Sequence, residues 1–250
     1  MSSLYPPGYL GAVAQPLILS NILSLPLFGI GVAQTAYYYQ SFPGDPRFIK
    51  AVVAILFCLD MSHTVCMVKS IKDWFLVDLL AVDIPKAFLV GTVLAYLTIF
   101  IVQCAYGVRL WLLTGANKFL VYAVLLLAMG QLGGGLGQAF STFTGDTASV
   151  VHTSRIFDIA GKVELSCSLA CDILITSSMV YLLRNTGGNS PIRRTSEVVN
   201  KIIIYSISVG LFTSVGTVLN MALASQPTTF NFVILHLILS KLYWNSLLVM

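Results

Sequence analysis

Charge is what this chain has least of. Of its 250 residues, 10% are Asp, Glu, Lys or Arg and 57% are hydrophobic, whereas an ordinary soluble domain carries about 25% charged residues. That scarcity, with a strongly positive mean hydropathy, argues against a soluble globular domain and predicts a chain made mainly of membrane spans. Basic clusters interleaved with aromatics are missing as well, so nucleic acid is not an expected partner. The five cysteines, Cys58, Cys66, Cys104, Cys167 and Cys171, all lie in apolar runs without a C-x-x-C pair. They therefore read as small core hydrophobes rather than a disulfide framework. The N-terminus lacks the basic region and cleavage site of a signal peptide. No Asn-x-Ser/Thr acceptor and no C-terminal lipidation motif occurs. Nucleophile-elbow and P-loop signatures are absent, so an enzyme is the disfavoured reading.

What is there in abundance is long apolar runs. About 20 such residues cross the roughly 30 Å hydrocarbon layer. Seven runs qualify, at about 15–39, 49–71, 88–110, 119–140, 162–183, 198–223 and 230–250. The predicted fold is all-α: one polytopic transmembrane domain over residues 1–250, with seven helices in a single bundle. Pro26 falls inside the first run, as membrane helices tolerate. That run ends in Tyr37, Tyr38 and Tyr39, an interfacial aromatic belt, before the turn Phe42-Pro43-Gly44-Asp45-Pro46. The longest connection expected outside the membrane is 141–161, which holds His152.

Orientation follows from Lys and Arg near the span ends. The first, third and fifth loops with their flanks carry Arg47, Lys50, Arg109, Lys118, Arg184, Arg193, Arg194 and Lys201. The N-terminus and the even loops carry Lys69, Lys72, Lys86, Arg155 and Lys162. The excess places the odd loops in the cytosol, with the N-terminus outside and the C-terminus cytosolic.

Against this apolar background a few polar residues stand out. Asp60 and His63 share a face of the second span, one helical turn apart. Asp60, Gln103, Asp172 and Lys241 all fall near mid-depth, where charges are costly, turn inward and pair. Asp60 and Asp172 are expected to share Lys241, with His63, Gln103 and Asn245 completing a ligand site or polar network. The bland alternative is a fixed polar knot that pins helices together. The fourth span carries two small-xxx-small pairs, Gly130/Gly134 and Gly133/Gly137, which suit close packing of a partner helix. Lys241 is also where a retinal Schiff base could form, but nothing else supports a chromophore, and no cofactor is expected. A metal site is not expected either. The three histidines, His63, His152 and His236, are on separate segments, and Ser240 stands where a ceramidase-type hydrolase would carry a second histidine four residues after His236.

Several segments resemble a family of seven-pass membrane proteins from basidiomycete fungi that carry a domain of unknown function. In the C-terminal third these are Asp172 to Ile175, Leu182-Leu183-Arg184, Arg193-Arg194-Thr195, Gly210 to Ser214, and Lys241 to Leu248. Nearer the N-terminus they are Tyr38-Tyr39, Phe42 to Asp45, Lys50, and Asp60 with His63; Gln103 and Arg109 also match. Cys104-Ala105 departs from the aromatic residues usual after that glutamine. Members usually continue past the Asn245 to Leu248 motif into a cytosolic tail, whereas the sequence here stops at Met250, inside the expected last span; a truncated gene model is one reading of that departure. The resemblance implies an integral membrane protein and no known activity.

The expected function is that of a receptor- or sensor-like seven-helix protein in the lipid bilayer, with a small-molecule ligand as partner. The alternatives are a transporter or proton- or ion-linked carrier, a membrane scaffold, and last a membrane-embedded hydrolase. Plasma membrane and endomembrane are not distinguished by the sequence.

Overall fold

The computed structural model describes residues 9–73, 85–114, 118–144, 155–187, 210–223 and 232–249. Among the described residues the chain forms seven helices and no strand. They are α1 (Tyr9–Ser41), α2 (Arg47–Lys72), α3 (Lys86–Thr114), α4 (Lys118–Thr144), α5 (Arg155–Gly187), α6 (Gly210–Leu223) and α7 (Phe232–Val249). Helices are what such a sequence must form in lipid, because a helix satisfies its own backbone polar groups where no water can. The first five are long and apolar enough to cross a membrane; α6 and α7 are shorter apolar helices. The first part of the expected sixth span (198–209), the paired arginines Arg193 and Arg194, and His152 lie outside the described residues.

Both ends of the connection expected over 141–161 are helical instead, since α4 runs to Thr144 and α5 starts at Arg155. A helix need not stop where the lipid does. Lys162 Nζ meets Asp158 Oδ2 at 2.7 Å one turn away, with both side chains exposed, so the first turns of α5 carry their own surface ion pair. Between α1 and α2 the turn is tightly fixed. Tyr38 donates to Asp45 Oδ2 at 2.9 Å, Lys50 Nζ donates to the Pro43 carbonyl at 2.5 Å, and Tyr39 donates to the Lys50 carbonyl at 2.8 Å.

Burial is inverted relative to a soluble protein. On α2 the buried residues are Val53, Leu56, Asp60, His63, Met67 and Ser70, a stripe three or four residues apart. Three of these six are polar, while Ile55, Met61, Val65 and Val68 point outward. Large exposed apolar side chains cover α4 and α6 too, such as Phe119, Leu126, Phe140 and Leu211. In water such a surface would aggregate; in lipid it is the proper coat.

The centre of the molecule is α7. No described residue from Phe232 to Leu248 is exposed, and the helix's polar residues Ser240, Lys241, Asn245 and Ser246 are buried against neighbouring helices. It packs on α1, α2 and α3, reaches Asp172 on α5 through Tyr243, and places Leu239 against Gly216 of α6. The main core gathers Leu56, Val102, Leu110, Val124, Met179 and Trp244 from α2, α3, α4, α5 and α7. On the other flank α4 lies between α3 and α5.

Candidate functional site

The site is built around α7, and Lys241 is its charged residue. The stripe of α2 turns Asp60 inward, and the central position of α7 buries Lys241 completely. Lys241 Nζ lies 2.5 Å from Asp60 Oδ1, 2.6 Å from Thr64 Oγ1 and 3.2 Å from the Asp60 carbonyl. All three ammonium protons thus have acceptors. The Phe28 ring of α1 lies 5.2 Å from Nζ and adds a cation–π contact. Thr64 in turn donates to the Asp60 carbonyl at 2.8 Å. The ion pair therefore ties α7 to α2 under a lid from α1.

Asp172 does not share that lysine. Lys241 pairs with Asp60, and the Asp172 carboxylate accepts instead from the Tyr243 hydroxyl, with Thr213 of α6 in its electrostatic surroundings. The reason Lys241 and Tyr243 choose different aspartates is helical phase: residues two apart on a helix project about 200° apart. Lys241 and Tyr243 thus face opposite sides of α7, one toward α2 and the other toward α5. Tyr243 also lies 3.3 Å from Ser168 Oγ, so three hydroxyl-bearing residues gather around Asp172.

Gln103 is likewise apart from the ion pair. Its Nε2 donates to Gln131 Oε1 of α4 at 2.5 Å, and its Oε1 has no partner among the described residues. Asn245 reaches the other way and donates to the Leu27 carbonyl of α1 at 3.0 Å. That contact depends on Gly31, where a Cβ would come within 2.8 Å of Trp244 Nε1. Tyr106 and Ser246 hydroxyls join α3 to α7 at 3.0 Å. The six expected residues therefore form separate polar contacts distributed around α7 and α3, rather than one cluster.

His63 lies one turn from Asp60, as its spacing requires, and is buried with neither ring nitrogen hydrogen-bonded. It is within electrostatic reach of Lys241 and of His236 on α7. The His236 ring meets Tyr96 of α3 edge to face at 5.0 Å, and Tyr96 donates to Gln138 Oε1 of α4 at 2.8 Å. Sequence reasoning missed several buried or half-buried polar residues: Thr64, Tyr96, Tyr106, Gln131, Gln138, Glu164 and Ser168. Glu164 is buried between α4 and α5, although it sits among Asp158 and Lys162 where an interfacial residue would be expected. Gln131 and Gln138 stand in the glycine-rich run of α4, and a seven-residue interval on one helical face was the signal available for them.

The glycines of α4 divide by face. A Cβ at Gly134 would lie 2.7 Å from the Ala160 carbonyl and from the Glu164 amide nitrogen, so α4 and α5 touch backbone to backbone. Gly130 meets Cys167, Gly137 meets Ala160 and Gly135 meets the Tyr96 ring, while Gly133 meets nothing within 4 Å. Among the described residues no three His, Cys, Asp or Glu side chains come together as metal ligands.

Fold and site together define an all-helical, multi-pass integral membrane protein with a polar interior. Residues 168–250, the C-terminal third, match a family of unknown function, DUF6534. No curated protein and no solved structure matches the chain. The matched stretch runs from within α5 to the end of the chain and includes Asp172, Thr213, Lys241, Tyr243, Asn245 and Ser246; Asp60 lies outside it.

Proposed function

We propose that this protein is a receptor- or sensor-like membrane protein of fungal type. It crosses the bilayer seven times, with the N-terminus outside and the C-terminus cytosolic. The single observation that carries the reading is the buried Asp60–Lys241 pair. It is the ion pair that holds the central helix among the described residues, and it holds that helix to α2. Intramembrane charges are costly to keep and point to function. A ligand that takes either partner away releases α7 on one side only, and such differential contact is what shifts a two-state equilibrium.

The test is a thermal-shift screen of the full-length protein in lipid nanodiscs against small polar molecules. The expected result is at least one compound that raises the melting temperature of the parent, since a ligand at about 100 times its Kd stabilises by about 2.7 kcal/mol. The same compound should not shift the Asp60→Asn, Lys241→Met double variant. A panel without effect on the parent, together with proton or solute uptake by proteoliposomes, would overturn the receptor reading in favour of a carrier. The carrier has one observation on its side, the unpartnered His63 beside the ion pair.

A further inference from the structure

Four buried polar atoms, on two residues of α2 and one of α7, lack a hydrogen-bond partner among the described residues. They are Asp60 Oδ2, His63 Nδ1, His63 Nε2 and His236 Nε2. Asp60 and His63 occupy successive turns of one α2 stripe, and both are about 1% exposed. His236 of α7 lies within electrostatic reach of His63, and its ring meets Tyr96 of α3. Asp60 is half satisfied: Oδ1 holds Lys241, and Oδ2 holds nothing.

Each unmade hydrogen bond to a buried group costs about 1–3 kcal/mol, and more for a charged one. Lipid offers no donors or acceptors to relieve this. Many polar groups of the bundle are satisfied within the protein: Tyr243 bonds Asp172, and Ser20, Ser24 and Thr35 fold back onto carbonyls of α1; the other unpartnered buried atoms among the described residues, on Gln34, Gln103, Asn220 and Asn245, are single amide oxygens. Here two imidazoles and a carboxylate oxygen, on the packed helices α2 and α7, are left with unpartnered atoms. Their chemistry is complementary to a molecule that both donates and accepts. The carboxylate needs a donor, and each neutral imidazole offers one N–H and one lone pair. The neighbouring stretch of α3 carries small residues, with Gly91 against Met67 and a fully buried Ala95 one turn on.

We propose that Asp60, His63 and His236 enclose an internal water site between α2, α3 and α7. Water there donates to Asp60 Oδ2 and bridges it to the His63 ring, and so completes the shell of the carboxylate that holds Lys241. A buried water needs two to four polar partners, which these side chains supply. The inference stands independently of the receptor reading, because it concerns how the ion pair is hydrated rather than what displaces it.

Hydroxyl-radical footprinting of the full-length parent in nanodiscs tests it directly, since radicals form where water is. Met67, one turn from His63, and Met179, in the apolar core, are equally buried methionines. A wet site oxidises His63 and Met67 several-fold faster than Met179. Equal, low rates at all three would overturn the proposal. His63→Phe gives a second readout by its sign. In a dry site the ring swap removes two unsatisfied nitrogens and raises the melting temperature; in the hydrated site it lowers it, while His63→Gln lies between. Should His63→Phe fail to fold, the footprint of the parent decides alone.

Discussion

At the scale of single residues, the two buried aspartates are held by different chemistry. Asp60 faces an ammonium whose three protons are all committed around it, whereas Asp172 is bonded by the Tyr243 hydroxyl. Replacing Asp60 with Asn leaves a buried cation without its counter-charge, a loss of about 3–5 kcal/mol. Replacing Asp172 with Asn leaves no orphaned charge and is expected to lose about 1–2 kcal/mol, the scale of a hydrogen bond. Melting temperatures of the two variants beside the parent check the order. The Asp60→Leu, Lys241→Met double variant should recover most of the loss, because an apolar pair of similar volume avoids desolvation altogether. If Asp60→Asn melts with the parent, the pair does not hold the bundle together. Asp60 and Lys241 were legible in the sequence because a charge at mid-depth has few places to go. Their partnership was not, since two aspartates lay at matching depth and only the rotation of α7 chooses between them.

At the scale of elements, the interface between α4 and α5 turns on one glycine. Any side chain at Gly134 must displace the backbone of α5, because its nearest neighbours are a carbonyl oxygen and an amide nitrogen at 2.7 Å. Gly134→Ala is expected to lose about 1–3 kcal/mol through overpacking. Gly133→Ala, one residue away and in open space, should leave stability unchanged. A pair of thermal melts distinguishes them, and equal effects would mean that α4 does not meet α5 on this face. The sequence marks both glycines alike, as members of overlapping small-xxx-small pairs. Which of them is pressed against a neighbour depends on the rotation of α4, and a 100° step per residue separates the two. Glu164 escaped notice for a related reason. It stands near the start of α5 beside a surface ion pair, and its burial comes from the approach that Gly134 permits.

At the scale of the whole molecule, the outward apolar faces and inward polar groups are two sides of one arrangement, a helical bundle solvated by lipid. The proposed sidedness makes a prediction of its own. In a cysteine-free background, Gly44→Cys, in the first turn, should react with an impermeant thiol reagent only after the membrane is opened. Lys72→Cys, at the far end of α2, should react in intact cells. The reverse pattern would invert the orientation drawn from the Lys and Arg distribution. By itself the amino-acid sequence determined that this protein is helical and lives in lipid, because run length and scarcity of charge leave no other way to satisfy the backbone. It also determined that Asp60 and His63 share a face, because a helix of fixed pitch allows nothing else. The tertiary structure alone decided that α7 is central, that Lys241 turns to α2 and Tyr243 to α5, and that ring nitrogens of His63 and His236 and one oxygen of Asp60 are buried without hydrogen-bond partners among the described residues. Those outcomes depend on the rotation and neighbours of each helix, which are set by packing across segments far apart in the chain and by no local pattern.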